Sequence, residues 1–420
     1  MIHALLQGHP ACACGHAHTC DIRYVSIRPG AVADLGPICQ NYHHILLVAD
    51  NNTFATCGQE VAEILGERLE DSVIFAPDGL LIPNEDAISR VQEAISQQTD
   101  LIVGIGSGVI NDLCKYVSFT KGLPYYIVAT APSMDGYASV GAAMITQNMK
   151  TTFNGHVPAA IIGDVDILKN APMRMIQSGF GDIIGKYSAL NDWKLAHLVN
   201  GEHFCPYVYD LVMDTVLKTE ALADGIQSRD PETIQTLMKA LVIVGIAMSY
   251  VGNSRPASGS EHHLSHYFEI VGILRNEEYF LHGIDVAYST VVTQQLREEL
   301  LQLPQVPQDT YNHDRSLWEA EIRRCYDHAA GSVMALQEKC GHYAKDYLSI
   351  YREKWPELRA ILSEVPSCEK IIGTLAKAGL DYSEFASFYG KEKIEDSKWF
   401  AKDLKDRYSV LWVYFLLMRK

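Results

Sequence analysis

Three histidines in the second half of this 420-residue chain have types and spacing that could do chemistry. In Ser258-Gly259-Ser260-Glu261-His262-His263-Leu264-Ser265-His266, a helix would stack His262 and His266 one turn apart on one face. His282, in Leu281-His282-Gly283, follows on the next element and can meet that face. Imidazoles converging from neighbouring helices hold a divalent metal while leaving positions open for substrate, and a carboxylate from elsewhere would complete the set. The alternative is a polar helix with solvated histidines. A second group, Cys12, Cys14, His16, His18 and Cys20, crowds near the N-terminus. Its spacing matches no zinc knuckle, so a structural metal site and a terminal loop that picks up metal adventitiously both stay open.

A different chemistry is suggested at Gly104-Ile105-Gly106-Ser107-Gly108-Val109-Ile110-Asn111-Asp112, between the apolar strand Leu101-Ile102-Val103 and a helical run through Lys115. Glycines there let the backbone approach a diphosphate, which then sits on amides at the helix start; a plain loop is the alternative. The loop from Thr130 to Ser139 follows the strand Tyr125 to Ala129, and loops at strand carboxyl ends are where parallel sheets bind ligands. Asp50, just after Ile45 to Ala49, stands where a dinucleotide fold puts a carboxylate for the adenosine ribose, or else caps the next helix.

The elements that must position these residues divide the chain. Strand-like runs at Ile22 to Ile27, Ile45 to Ala49, Ser72 to Phe75, Leu101 to Val103, Tyr125 to Ala129 and Ala159 to Asp164 alternate with helical stretches such as Asn84 to Gln97, the rhythm of a parallel α/β sheet. Beyond Leu168 helical periodicity dominates, with a start signal at Asp230-Pro231-Glu232 and an apolar stripe through Leu237, Leu241, Val244 and Met248. The expectation is an α/β domain over residues 1–170, with residues 1–20 as a Cys/His-rich leader, and an all-α domain over 171–420. The loop Leu303 to Arg315 is too short to mark another boundary, and no internal repeat is visible.

A formal net charge of −16 argues against a nucleic-acid partner. Any anionic substrate must therefore meet a local positive site. The apolar runs around Ala240 to Val251 and Val410 to Met418 are expected to be too short to span a bilayer. With no secretory signal at Met1 to Gln7, the ten cysteines, thinly spread apart from Cys12, Cys14 and Cys20, are expected to be reduced thiols in a cytoplasmic protein.

Taken together, the Gly-rich turn, the Thr130 to Ser139 loop, Gly179-Phe180-Gly181-Asp182, Ser258 to His266 and His282-Gly283 resemble the sn-glycerol-1-phosphate dehydrogenases, over roughly residues 22–300. These are relatives of glycerol dehydrogenase, iron-type alcohol dehydrogenases and 3-dehydroquinate synthase. The resemblance implies a dehydroquinate synthase-like fold, a nucleotide-binding α/β domain before a helical one, with the active site in the interdomain cleft. It implies Asp182, His262 and His282 as ligands of one zinc, nickel or iron ion. His266 becomes a substrate contact, and Asp135 a contact to the substrate hydroxyl. Gly106, Ser107, Gly108, Asp112, Thr130, Ser133 and Ser139 match contacts to NAD or NADP, and Asp50 would favour NAD by repelling a 2′-phosphate.

The implied reaction is reversible reduction of dihydroxyacetone phosphate to sn-glycerol 1-phosphate by a homo-oligomeric enzyme. A glycerol or simple-alcohol dehydrogenase, a dehydroquinate-type cyclase and a catalytically dead binding protein are the alternatives. Departures from the pattern are Gly-Ile-Gly-Ser-Gly in place of three adjacent glycines, and a spacing between His262 and His282 that suggests an inserted loop around Leu274 to Tyr279. Arg255 either serves the substrate phosphate or forms a structural salt bridge, and the residues beyond 300 carry no motif.

Overall fold

The computed structural model describes residues 1–76, 81–146, 149–308 and 313–419. It divides into two compact units, one of residues 1–180 with 224–253 and the other of residues 181–223 with 254–420.

The first unit is built on a parallel sheet in the order β1-β8-β5-β4-β2-β3, formed by β1 (Tyr24–Arg28), β2 (Ile45–Asp50), β3 (Leu69–Phe75), β4 (Leu101–Gly106), β5 (Tyr125–Ala129) and β8 (Ala160–Asp164). The runs read as strands are these strands. Ile45, Leu47, Leu101, Val103 and Ile105 are fully buried, as expected of a sheet covered on both faces. An antiparallel hairpin, β6 (Gly141–Thr146) and β7 (Met149–Asn154), was not foreseen. The helix expected over Asn84 to Gln97 runs Glu85–Glu93, shorter at its C-terminal end, and Asn84 caps it, its side chain accepting from the Ala87 amide at 3.0 Å.

Strand order reverses between β2 and β4, which pair Ala49 with Ile105, while β4 pairs Gly106 with Ala129 of β5. The carboxyl ends of β2, β4 and β5 therefore lie side by side, bringing Asp50, the Gly-rich turn and Thr130 to one edge. This is the topological switch point at which open parallel sheets receive ligands.

The apolar helix Pro231–Val251 belongs to the same unit. Asp230 caps it by accepting from the Thr233 amide at 2.9 Å. At 21 residues it is longer than expected from its apolar run and is long and apolar enough to cross a membrane, yet 72% of its most apolar stretch is buried inside the protein. It packs on the turn Asp135–Ala138, where a Cβ on Gly245 would stand 2.7 Å from the Ala138 Cβ.

The second unit is helical. Its centre holds the helix begun at Met173, from Gly181 to Asn200, together with the helices Ser260–Arg275 and His282–Leu301. The connection expected to be an inserted loop is short. The Ser260–Arg275 helix continues to Arg275, ends on Asn276 in the left-handed region (φ 52°), and leaves residues 276–281 before His282. Of the 303–315 loop, residues 309–312 lie outside the described residues.

Candidate active site

In the helical unit, Asp182, His262 and His282 come together with ligand atoms all within 4.8 Å of one another. Gly181 and Gly185 make this possible. A Cβ at Gly181 would stand 2.3 Å from the Gly283 carbonyl oxygen, and one at Gly185 2.4 Å from Val286 Cγ1. The helix carrying Asp182 thus rides closely on the start of the helix carrying His282. At the other side, Ser260 donates its backbone N–H to Asp192 Oδ2 at 2.6 Å, and Asp192 Oδ1 accepts from Arg297 at 2.9 Å, which anchors the start of the His262 helix.

His262 is oriented by its own neighbour. Its Nδ1 lies 2.7 Å from Glu261 Oε1, which also accepts the Gly259 amide at 2.8 Å. A carboxylate oxygen with two donors leaves the proton on Nδ1 and the lone pair on Nε2. That Nε2 is 3.6 Å from Asp182 Oδ1, near the roughly 3.4 Å separation of two ligand atoms about 2.1 Å from a tetrahedral ion. Burial lowers the His262 pKa well below the usual imidazole value; Lys186 adds to this and Asp182 opposes it. The ring is therefore neutral, as a ligand must be. Burial alone would raise the Asp182 pKa, but Lys186, 2.6 Å away, and the two imidazoles outweigh it and lower it. An ionised carboxylate with neutral imidazoles fits a divalent cation.

His266 completes an imidazole cluster, its ring centroid 5.6 Å from that of His282 and 6.3 Å from that of His262. It is partly exposed, and its Nδ1 is 3.7 Å from Glu269 Oε2. His263 is fully buried. Arg255 makes the structural salt bridge: Nε and Nη2 hold both oxygens of Glu202, at 2.6 and 2.5 Å, and Nη1 donates to the Tyr408 carbonyl at 2.9 Å. Its charge still acts on His263. Lys405 and Arg407 act electrostatically on both His262 and His263, so the C-terminal stretch without motifs reaches the site.

In the α/β unit, Gly106 ends β4 and the helix Gly108–Lys121 begins with Ser107 as a cap that makes no side-chain bond. Gly106 serves packing, since a Cβ there would meet Ile110 at 2.6 Å. The uncapped start at Ser107 and Gly108 suits the diphosphate of a dinucleotide. Thr130 is tied to this turn by its N–H to the Gly106 carbonyl at 3.1 Å, and the Ser133 carbonyl accepts the Ser178 hydroxyl at 3.0 Å. Asp50 caps the following helix through Oδ1, which accepts the Thr53 amide at 2.8 Å. Asp112 braces the hairpin, with Oδ2 accepting the Ala143 amide at 3.0 Å.

Buried Lys115, overlooked in the sequence, donates to the carbonyls of Gly136 and Gly141 at 2.9 and 2.8 Å and lies 3.4 Å from Ser139 Oγ. It shapes the loop that carries Asp135 and Ser139. Lys115, Lys186 and Glu261 stand one turn from Asp112, one turn from Asp182 and beside His262, spacings too common in helices to announce them as site residues.

Residues 26–172 match the family described as iron-containing alcohol dehydrogenase. The glycerol-1-phosphate dehydrogenase [NAD(P)+] of Halalkalibacterium halodurans is 35% identical over 67% of this chain and 72% of its own length. The enzyme of the same name from Geobacillus thermodenitrificans is 33% identical over 67% of this chain and 71% of its own. In fold alone, maleylacetate reductase from Agrobacterium tumefaciens is similar, with a TM-score of 0.62 at 12% identity over 95% of this chain and 96% of that one.

Proposed function

Because this chain belongs to the glycerol-1-phosphate dehydrogenase family, we propose that it is a metal-dependent, NAD(P)-linked oxidoreductase that reversibly reduces dihydroxyacetone phosphate to sn-glycerol 1-phosphate. The observation that carries this reading is the Asp182, His262 and His282 cluster with Glu261 holding His262 in the ligand tautomer. In balance, the ketone carbon gains a hydride, its oxygen gains a proton, and NAD(P)H leaves as NAD(P)+. When bound, zinc, nickel or iron would supply Lewis-acid polarisation of the ketone oxygen, and the nicotinamide the hydride.

The protein's own groups do the rest. Asp182, His262 and His282 hold the ion. His266, one turn past His262, orients the substrate and passes a proton. Asp135 binds a substrate hydroxyl. Amides at Gly106, Ser107 and Gly108 receive the diphosphate, with Thr130, Ser133 and Ser139 as further dinucleotide contacts. Asp112 acts through the hairpin it braces, and Asp50 receives the adenosine ribose with the oxygen that does not cap the helix. Support for a phosphorylated substrate comes from Lys405 and Arg407, whose charge acts on His262 and His263 in an otherwise acidic protein. We further propose a cytoplasmic homo-oligomer, for which sedimentation of the purified protein is the test.

The deciding experiment follows nicotinamide absorbance with dihydroxyacetone phosphate or dihydroxyacetone, after chelation and after return of zinc, nickel or iron. Metal-dependent oxidation of NAD(P)H with the phosphorylated ketone alone supports the proposal, with product stereochemistry then assigned by a stereospecific enzyme. Turnover of only the unphosphorylated ketone would make this a glycerol dehydrogenase, and silence with both would point to cyclase chemistry.

A further inference from the structure

The Cys/His-rich leader is a folded part of the first unit. His9 and His18 pair as an antiparallel bridge, with N–H to carbonyl distances of 2.8 and 3.1 Å. Gly8, at φ +74°, allows the close approach, because a Cβ there would stand 2.6 Å from the His18 carbonyl oxygen. Gly15, at φ +86°, donates its N–H to the Cys12 carbonyl at 3.0 Å and closes Cys12-Ala13-Cys14-Gly15 into a turn.

His18 is 1% exposed. Its Nδ1 lies 2.8 Å from the Tyr250 carbonyl oxygen, and its ring stacks on Tyr250 with centroids 5.3 Å apart. A carbonyl only accepts, so Nδ1 carries the proton and Nε2 the lone pair. A histidine whose far N–H is bound by a backbone carbonyl is the usual arrangement of a metal ligand. The lone pair faces Cys14: Nε2 to Sγ is 3.5 Å. A tetrahedral zinc with Zn–S of about 2.3 Å and Zn–N of about 2.0 Å sets those two atoms about 3.5 Å apart. The Cys12 sulfur belongs to the same group, with ligand atoms all within 4.8 Å, and Cys12 and Cys14 are thiols rather than halves of a disulfide.

We propose that Cys12, Cys14 and His18 supply three of the ligands of a structural zinc ion, distinct from the Asp182, His262 and His282 cluster. Two thiolates and an imidazole are the soft-to-borderline donors that zinc prefers over magnesium or calcium. The ion would fasten the leader to the Tyr250 end of the Pro231–Val251 helix, a link already begun by the Tyr250 hydroxyl bonding to the Leu5 carbonyl. His16 and Cys20 lie outside the ligand group.

The test uses the full-length protein loaded with zinc and read by metal analysis. Wild type should hold one more zinc ion per chain than Cys14→Ser, with turnover unchanged. The difference is read against wild type, so it survives failure of the dehydrogenase proposal. Cobalt exchange of the wild type needs no variant. It should give a thiolate-to-cobalt charge-transfer band that persists in His262→Ala and is lost in Cys14→Ser. Equal zinc content in wild type and Cys14→Ser, no thiolate band, or a band removed by passage over a weak chelating resin, the mark of adventitious binding, would each overturn the proposal.

Discussion

Glu261 Oε1 stands 2.7 Å from His262 Nδ1, inside the protein and one residue away in the chain, and so decides which nitrogen of His262 can bind a cation. Replacing Glu261 by Gln puts an amide against Nδ1 that can donate as well as accept, and the tautomer is no longer imposed. Metal affinity, measured by competition with a chromophoric chelator, should fall about 10- to 100-fold, with turnover recovered at excess metal. Unchanged affinity would show that the pair does not orient the ligand.

His282 and His266 should separate by measurement. Alanine at His282 is expected to abolish metal retention and turnover together. Alanine at His266 should leave metal content intact and lower kcat by about 10²- to 10⁴-fold, the usual contribution of a proton-transfer group. Loss of metal in the His266 variant would make that residue a ligand instead.

At Gly181 even a methyl group is too large. A Cβ 2.3 Å from the Gly283 carbonyl oxygen meets backbone, which cannot rotate away. Gly181→Ala should destabilise the protein by about 1–3 kcal/mol and displace His282, seen as a lower melting temperature and weaker metal binding. A variant as stable and metal-competent as wild type would contradict the close helix crossing.

Lys405 should discriminate between substrates. If its charge attracts a phosphate, Lys405→Met will raise KM for dihydroxyacetone phosphate about tenfold or more, the worth of one charge-assisted contact, and leave KM for dihydroxyacetone unchanged. Equal effects on both ketones would assign Lys405 a purely structural role.

Asp285 supplies a pH dependence. Burial raises its pKa well above the usual carboxylate range, against the opposing hydrogen bonds from the Tyr389 hydroxyl at 2.8 and 3.0 Å. The folded state therefore keeps this proton after the unfolded chain has lost it, and stability falls as pH rises from the ordinary carboxylate value through the raised one. Asp285→Asn cannot ionise and still accepts from Tyr389. Its melting temperature should match wild type in acid and exceed it increasingly toward neutral pH; a constant difference would show that Asp285 does not titrate in that range.

Much of this protein is written in local pattern. Apolar runs bounded by turn residues specify the parallel strands, because a buried strand needs an unbroken apolar stretch. The one-turn spacing of His262 and His266 and the Gly-rich turn after β4 are equally local. What tertiary structure alone decided depends on pairings between distant residues, which no spacing encodes. Arg255 was open between phosphate and salt bridge until Glu202, 53 positions away, was found holding it. The motif-free C-terminal stretch bears on the histidines through Lys405 and Arg407 because a fold brings charge near by contact, whatever the distance along the chain. His18 was one of five candidate ligands in a crowded N-terminal segment until the Tyr250 carbonyl, 232 positions on, accepted the hydrogen bond from its Nδ1–H and left the Nε2 lone pair toward Cys14. Hydrogen-bond acceptors set tautomers, tautomers set ligands, and only the folded chain supplies the acceptor.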